Sequence, residues 1–144
     1  MTSRLLKFTA ALLAIAAPAS AQPMSPRAMV EAKFAAVNRH AIADIAALYA
    51  PDARLTASDF CKPRQGRTEV ERTYRGIFAF APDAVDDVQE YVVQGDRVAV
   101  RFILRGTVGG HAFSAALMNF FTVRDGLIVE DDGIFDNGGR ACTP

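Results

Sequence analysis

The sequence predicts an α+β fold: three N-terminal helices followed by a strongly curved antiparallel sheet that wraps around them. Two observations carry this. Apolar residues recur at helical spacing in three stretches before residue 84. From Val85 to Phe135 they form runs separated by glycine-bearing turns and alternate where they can. Helices early and strands late argue against a parallel sheet wound through alternating helices.

Residues 1–21 read as a secretory signal peptide and stand outside the fold argument. Arg4 and Lys7 are basic, Phe8 to Ala17 is a short apolar run, and Ala19-Ser20-Ala21 is a small-residue cleavage site. The run is about half the roughly 20 apolar residues of a membrane span. The expected mature chain, residues 22–144, is one domain, large enough to build a core without a metal. Its first residue is Gln22, and its location is periplasmic or secreted. Of the 16 Lys+Arg and 16 Asp+Glu, cleavage removes only Arg4 and Lys7, so acids then exceed bases by two. That balance argues against nucleic acid and against an anionic membrane surface as partners.

Ser25-Pro26 opens the first helix, with Ser as cap and Pro at the first helical position. Met29, Val30, Phe34 and Val37 form its apolar stripe. Ile42, Ile45, Leu48 and Tyr49 predict a short second helix, ended by Ala50-Pro51-Asp52. Ala53 to Ala57 is a short strand, and Phe60 to Gln65 a loop or poor edge strand. Thr68-x-x-Glu71 reads as a capping box for a third helix bearing Val70, Tyr74, Ile77 and Phe78, stopped by Ala81-Pro82-Asp83. The meander follows, with turns at Gln94-Gly95-Asp96, Gly109-Gly110-His111 and Arg124-Asp125-Gly126. Val98, Val100, Phe102 and Leu104 share one face; Arg101 and Arg105 take the other, outer one. His40 and His111 fall in connecting segments and read as solvated. No Cys/His spacing suggests a metal, and no motif suggests a cofactor.

Four motifs in order resemble the nuclear transport factor 2-like superfamily, in its SnoaL-like and ketosteroid isomerase-like branch. They are Asp44-Ile45-Ala46-Ala47-Leu48-Tyr49-Ala50-Pro51-Asp52-Ala53, Gln65-Gly66-Arg67-Thr68-Glu69, Gly95-Asp96-Arg97-Val98-Ala99-Val100-Arg101-Phe102 and Arg124-Asp125-Gly126-Leu127-Ile128-Val129-Glu130. The resemblance runs from about Pro26 to Asp136 and implies a cone-shaped barrel, often dimeric through its outer sheet face, around a small apolar ligand. It leaves the reaction open.

Carried over residue by residue, the isomerase base falls on Ala57, which cannot move a proton. Asp59, two residues on, keeps the same parity. The isomerase tyrosine falls near Lys33 or Phe34, and its partner acid on Asn119, whose amide still donates a hydrogen bond. The resemblance to SnoaL-like cyclases points to Glu130-Asp131-Asp132, with Asp131 on the cavity face with Gly133 and Phe135. Asp131 and Asp59 are therefore the candidate acid/base residues, against a reading in which these acids are merely solvated. Candidate ligand contacts are Asn119, Tyr49, Tyr74, Phe34, Phe78, Phe102, Phe121 and Phe135, against a reading of ordinary core. The family's proximity of first hairpin and final strand implies a Cys61–Cys142 disulfide; free thiols or a dimer linked through Cys142 are the alternatives. The expected function is an exported domain binding a small apolar molecule. The alternatives are an isomerase, cyclase or dehydratase, and a dimeric interaction domain without ligand.

Overall fold

The structure is a computed structural model and describes residues 24–143. The expected leader lies outside the described residues. Helix α1 spans Pro26–Asn38 and begins as its sequence dictates: the Ser25 hydroxyl accepts from the Ala28 amide at 3.2 Å, with Pro26 at the first position. Such a cap contributes about 1 kcal/mol. Helix α2 is short, Ile42–Ala47. Leu48 and Tyr49 were expected to extend it. Instead Tyr49 opens strand β1, Tyr49–Ala57, because β1 pairs in parallel with the last strand and its register slips between Tyr49 and Arg54. The slip spans Pro51, which has no amide to give a ladder.

Strand β2 is only Arg64–Gln65, antiparallel to β1. Helix α3 then runs Arg67–Phe80. The expected capping box is absent. The helix starts two residues earlier than that box requires, at a Gly66 cap with φ of 88°, so Thr68 already lies inside it. The Gly66 amide is held by the Ala53 carbonyl at 2.8 Å, and Arg67 Nε donates to the Tyr49 carbonyl at 2.7 Å. These bonds to β1 set the entry angle of α3, in place of the local side-chain cap.

The meander follows the expected turns: β3 Val85–Gln94, β4 Arg97–Val108, β5 His111–Arg124 and β6 Leu127–Ile134. The six strands form one curved sheet in the order β2-β1-β6-β5-β4-β3. The sheet does not close: β2 and β3 are its two edges, so the cone is open along one side. Helix α1 packs against β3, β4, β5 and β6, while α3 packs on α2 and β1. The core between them includes Val30, Ile45, Val70, Val98, Val100, Phe121 and Ile128, all fully buried. Each such side chain contributes roughly 1.5–3 kcal/mol of burial free energy. On the outer face Arg101 pairs with Glu90 and Arg105 with Asp87, in exposed cross-strand bridges.

Two bulges decide what faces inward. In β6, Thr122 pairs with Glu130 but Val123 with Ile128, so Val129 is extra. Ile128 and Asp131 therefore both point inward although three residues apart. In β3, Val88 pairs with Phe102 but Glu90 with Arg101, so Gln89 is extra and Asp86 faces inward with Val88.

Cys61 and Cys142 are joined by a disulfide with their Cα atoms 4.8 Å apart. The tail is also tied by its backbone: Cys61 donates to the Thr143 carbonyl at 3.0 Å, and Thr143 to that of Asp59 at 2.6 Å. Among the described residues no helix is long and apolar enough to cross a membrane.

Candidate functional site

The inner face of the sheet carries one connected polar cluster in an aromatic surround. Its centre is Asp131, only 8% exposed. Tyr49 Oη donates to Asp131 Oδ2 at 2.6 Å, and Asn119 Nδ2 to Oδ1 at 2.7 Å. Backbone register brings these groups together. Phe121 stands opposite Asp131 and Asn119 opposite Gly133. A Cβ on Gly133 would lie 3.4 Å from Asn119 Oδ1, so glycine leaves the amide room to lean towards Asp131. Ala57, on β1, stands opposite Gly133 from the other side.

Helix α1 adds Lys33, which shares the buried stripe with Met29, Val30, Phe34 and Val37. It is 2% exposed. Its ammonium lies 3.9 Å from the Phe34 ring centroid, 5.3 Å from Phe121, 5.6 Å from Tyr74 and 5.9 Å from Phe102. Strand β3 adds Asp86, held in register by Asn38: its amide donates to Asn38 Oδ1 at 2.7 Å, and Asn38 Nδ2 donates to its carbonyl at 2.9 Å.

The electrostatics follow from burial. Burial raises the Asp131 carboxyl above the usual carboxylate range, and Lys33, Tyr49 and Asn119 only partly reverse this. Burial likewise raises Asp86, against the pull of Lys33. Burial and then the Asp131 charge push the Tyr49 phenol well up, and burial raises Tyr74 despite Lys33. For Lys33, burial pushes downward, but the fields of Tyr74, Asp131 and Asp86 outweigh it and its pKa rises. The interior thus joins a readily protonated carboxyl, a persistent ammonium and two neutral phenols. These are groups suited to moving a proton next to a carbonyl.

The sequence candidates divide. Asp131, Asn119, Tyr49, Tyr74, Phe34, Phe102 and Phe121 converge on this interior, and Phe78 packs at its margin. Asp59 does not join the cluster: it lies in the turn after β1, where its carbonyl is taken by Thr143, and its side chain has no hydrogen bond within the described residues. The strand shift it would have needed does not occur, since Ala57 keeps the inward place. Phe135 lies past the end of β6, outside the main apolar cluster, with its amide donating to Ser58 Oγ at 3.0 Å. Glu130 and Asp132 face outward, accepting from Thr122 Oγ1 at 3.0 Å and Thr56 Oγ1 at 2.5 Å. His40 is not a free loop residue. It stacks on Phe78 at 4.1 Å, with Nε2 2.7 Å from the Ala84 carbonyl.

Lys33 and Asp86 were not among the candidates. Lys33 had a signal, a lysine three and four residues from apolar members of one stripe. Asp86 had none, because a bulge sets which of Asp86 and Asp87 faces inward.

Two concavities open at the surface, one of them away from this cluster and one bordering Asp131. One, of about 460 Å³, is an open groove at the β4–β5 end, lined by Asp83, Val85, Arg105, Gly106, Phe113 and Ser114 among others. The other, of about 100 Å³, lies between Arg54, Arg97, Thr122, Glu130 and Asp132 on the outer face and also borders Asp131.

Among solved structures, the chain is similar to IdmH from Streptomyces antibioticus, a provisionally assigned polyketide cyclase. Identity is 30% over 80% of this chain and 94% of that one, with a TM-score of 0.73. A second provisionally assigned polyketide cyclase, protein SMa1630 from Sinorhizobium meliloti, is 26% identical over 73% of this chain and 92% of that one, TM-score 0.62. A nuclear transport factor 2-like protein of unknown function from Burkholderia pseudomallei shares the fold at 22% identity, over 80% and 94% of the two chains, TM-score 0.73. No curated protein matches. The SnoaL-like domain model matches residues 30–131, which take in Lys33, Tyr49, Tyr74, Asp86, Asn119 and Asp131. With that match and the likeness to IdmH, the chain belongs to the SnoaL-like domain family of the nuclear transport factor 2-like fold.

Proposed function

We propose that the cone holds a small, largely apolar molecule bearing a carbonyl, and that Asp131 moves a proton on it, as an isomerase or cyclase does. The observation that carries this is the placement of Asp131: a buried carboxylate, raised by desolvation, with Tyr49 and Asn119 on its two oxygens and aromatic rings around it. In the proposed step the carboxylate takes a proton from the carbon beside the carbonyl. The C–H bond breaks, its electron pair delocalises onto the carbonyl oxygen as an enolate, and an O–H bond forms on Asp131. Return of that proton to another carbon, or attack of the enolate carbon on a second carbonyl, gives isomerisation or cyclisation. The provisional assignment of IdmH as a polyketide cyclase supports the class at 30% identity. The chain is further proposed to act after export, an address the disulfide favours.

The test is deuterium exchange at the α-carbons of 2-tetralone in D2O, followed by proton NMR. General-base catalysis is worth about 10²–10⁴-fold. The protein should accelerate exchange, and Asp131→Asn should lose most of that acceleration while keeping its circular dichroism. Equal rates for the two proteins would remove Asp131 from the role.

A further inference from the structure

The Lys33 ammonium is the least explained group in the molecule. It is 2% exposed, yet among the described residues no carboxylate lies within 4.0 Å of it. Tyr74 is a polar neighbour, and rings of Phe34, Phe102 and Phe121 stand around it. A buried ammonium loses several kcal/mol of hydration. Ring faces and the fields of Tyr74, Asp131 and Asp86 hold the charge in place, but no anionic oxygen of the described residues closes on the ammonium itself. A lysine serving only the core would be expected to touch a carboxylate. The Asp86 carboxylate nearby is also without a hydrogen bond from the described residues. Two opposite charges thus face one interior without closing on each other.

We infer that Lys33 selects the ligand: its ammonium receives an anionic oxygen, so the molecule taken into the cone carries an acidic phenol or enol and is bound as the phenolate or enolate. The aromatic surround fits a flat conjugated skeleton, and a phenolate or enolate spreads its charge into such a skeleton while its oxygen meets the ammonium. The groups that face Lys33 are Tyr74 from α3, Asp131 from β6 and Asp86 from β3, with Tyr49 of β1 behind Asp131. Their fields hold Lys33 charged, so it acts as an electrostatic anchor and not as a nucleophile. The inference rests on the cone being the ligand site proposed above, and it deepens that reading. The enolate formed when Asp131 takes a proton is an anion of the kind Lys33 would hold.

The test uses 4-nitrophenol, whose phenol and phenolate absorb at different wavelengths, with 4-nitroanisole as a non-ionisable control. The full-length mature chain is titrated with each below the ionisation midpoint of the free phenol. The bound nitrophenol should show the phenolate band, its apparent pKa falling by about one unit or more, a tenfold preference for the anion. The ether should bind at least about tenfold more weakly. Lys33→Met should return the bound probe to its phenol band and make phenol and ether bind alike; Lys33→Arg should keep the phenolate. A neutral phenol bound to the wild type, an ether bound as tightly as the phenol, an unchanged band in a folded Lys33→Met, or no saturable phenol binding would each overturn the inference. Should Lys33→Met fail to fold, the wild-type spectrum and the ether control decide. The ketone exchange assay reads Asp131 and not this band. Lost exchange with the phenolate band intact would count against the acid/base reading alone.

Discussion

Replacing both Cys61 and Cys142 by alanine removes a cross-link between residues 81 apart in sequence. Both cysteines are exposed, so the change opens no core cavity. The folded tail keeps other ties: the Cys61–Thr143 and Thr143–Asp59 backbone bonds, Arg64 Nη2 donating to Thr143 Oγ1 at 3.1 Å, and Asn137 Nδ2 donating to the Ser58 carbonyl at 3.2 Å. The main effect therefore falls on the unfolded chain, which gains the freedom of a loop of that length. In the chain-entropy model this is about 4.5 kcal/mol at 25 °C. Residual structure in the denatured chain lowers the expectation to roughly 3–4.5 kcal/mol. Against a total of about 5–15 kcal/mol for a domain, that is a large share. Urea unfolding followed by far-ultraviolet circular dichroism measures it. The double variant should lose that amount and show a steeper urea dependence, because its unfolded chain exposes more surface. Its melting temperature should drop by about 10–20 °C. A loss under about 1 kcal/mol with an unchanged slope would refute the reasoning, since the denatured chain would then not be held by the bond.

Tyr49→Phe deletes the hydroxyl that donates to Asp131 and should lower stability by about 1.5–3 kcal/mol at neutral pH; a loss below about 0.5 kcal/mol in the same urea assay would show that this bond contributes little. Gly66→Ala forces a side chain into φ of 88° and places its Cβ 3.0 Å from the Pro51 carbonyl. It should cost on the order of 1–3 kcal/mol, and an unperturbed melting temperature would contradict the assigned start of α3. Met118 and Ile134 are exposed side by side on the outer sheet face. If the expected homodimer forms there, sedimentation velocity should show a dimer for the wild type and a monomer for Met118→Glu, whereas a wild-type monomer would dismiss that interface.

How much of this was readable in the sequence depended on whether local chemistry or distant pairing decided the outcome. The Ser25 cap and the turns at Gly95, Gly110 and Asp125 are decided within a few residues, and the chain obeys them. Tyr49 was misplaced because a parallel partner 79 or more residues away, beginning at Ile128, makes it a strand residue. Thr68 failed as a cap because the β1 carbonyls of Tyr49 and Ala53 fix where α3 begins. In the site, Asp131 and Asn119 were legible from strand parity together with the positions the family resemblance implies. Their direct bond was not, since it depends on Gly133 leaving room. Lys33 was passed over because a lysine in an apolar stripe reads as a flaw in the pattern until its ring neighbours are known. The polar members of the site sit on six separate elements, α1, α3, β1, β3, β5 and β6, so only the fold assembles them.

The central claim is that the cone interior holds Asp131 ready to accept and release a proton, and its own titration tests this most directly. With 13C-labelled aspartate, the carboxyl shift of Asp131 can be followed by NMR across acid to neutral pH, assigned by its absence in Asp131→Asn. The midpoint should lie above the usual carboxylate value of about 3.9, because burial disfavours its charge more than Lys33, Tyr49 and Asn119 restore it. The folded state then holds this proton more tightly than the unfolded chain. That contribution to stability is complete below about pH 3.9 and is lost as pH rises through the folded midpoint, a loss Asp131→Asn should not show. A midpoint above the unfolded value, with that pH-dependent loss, is what the account predicts; a midpoint at or below about 3.9 would contradict it.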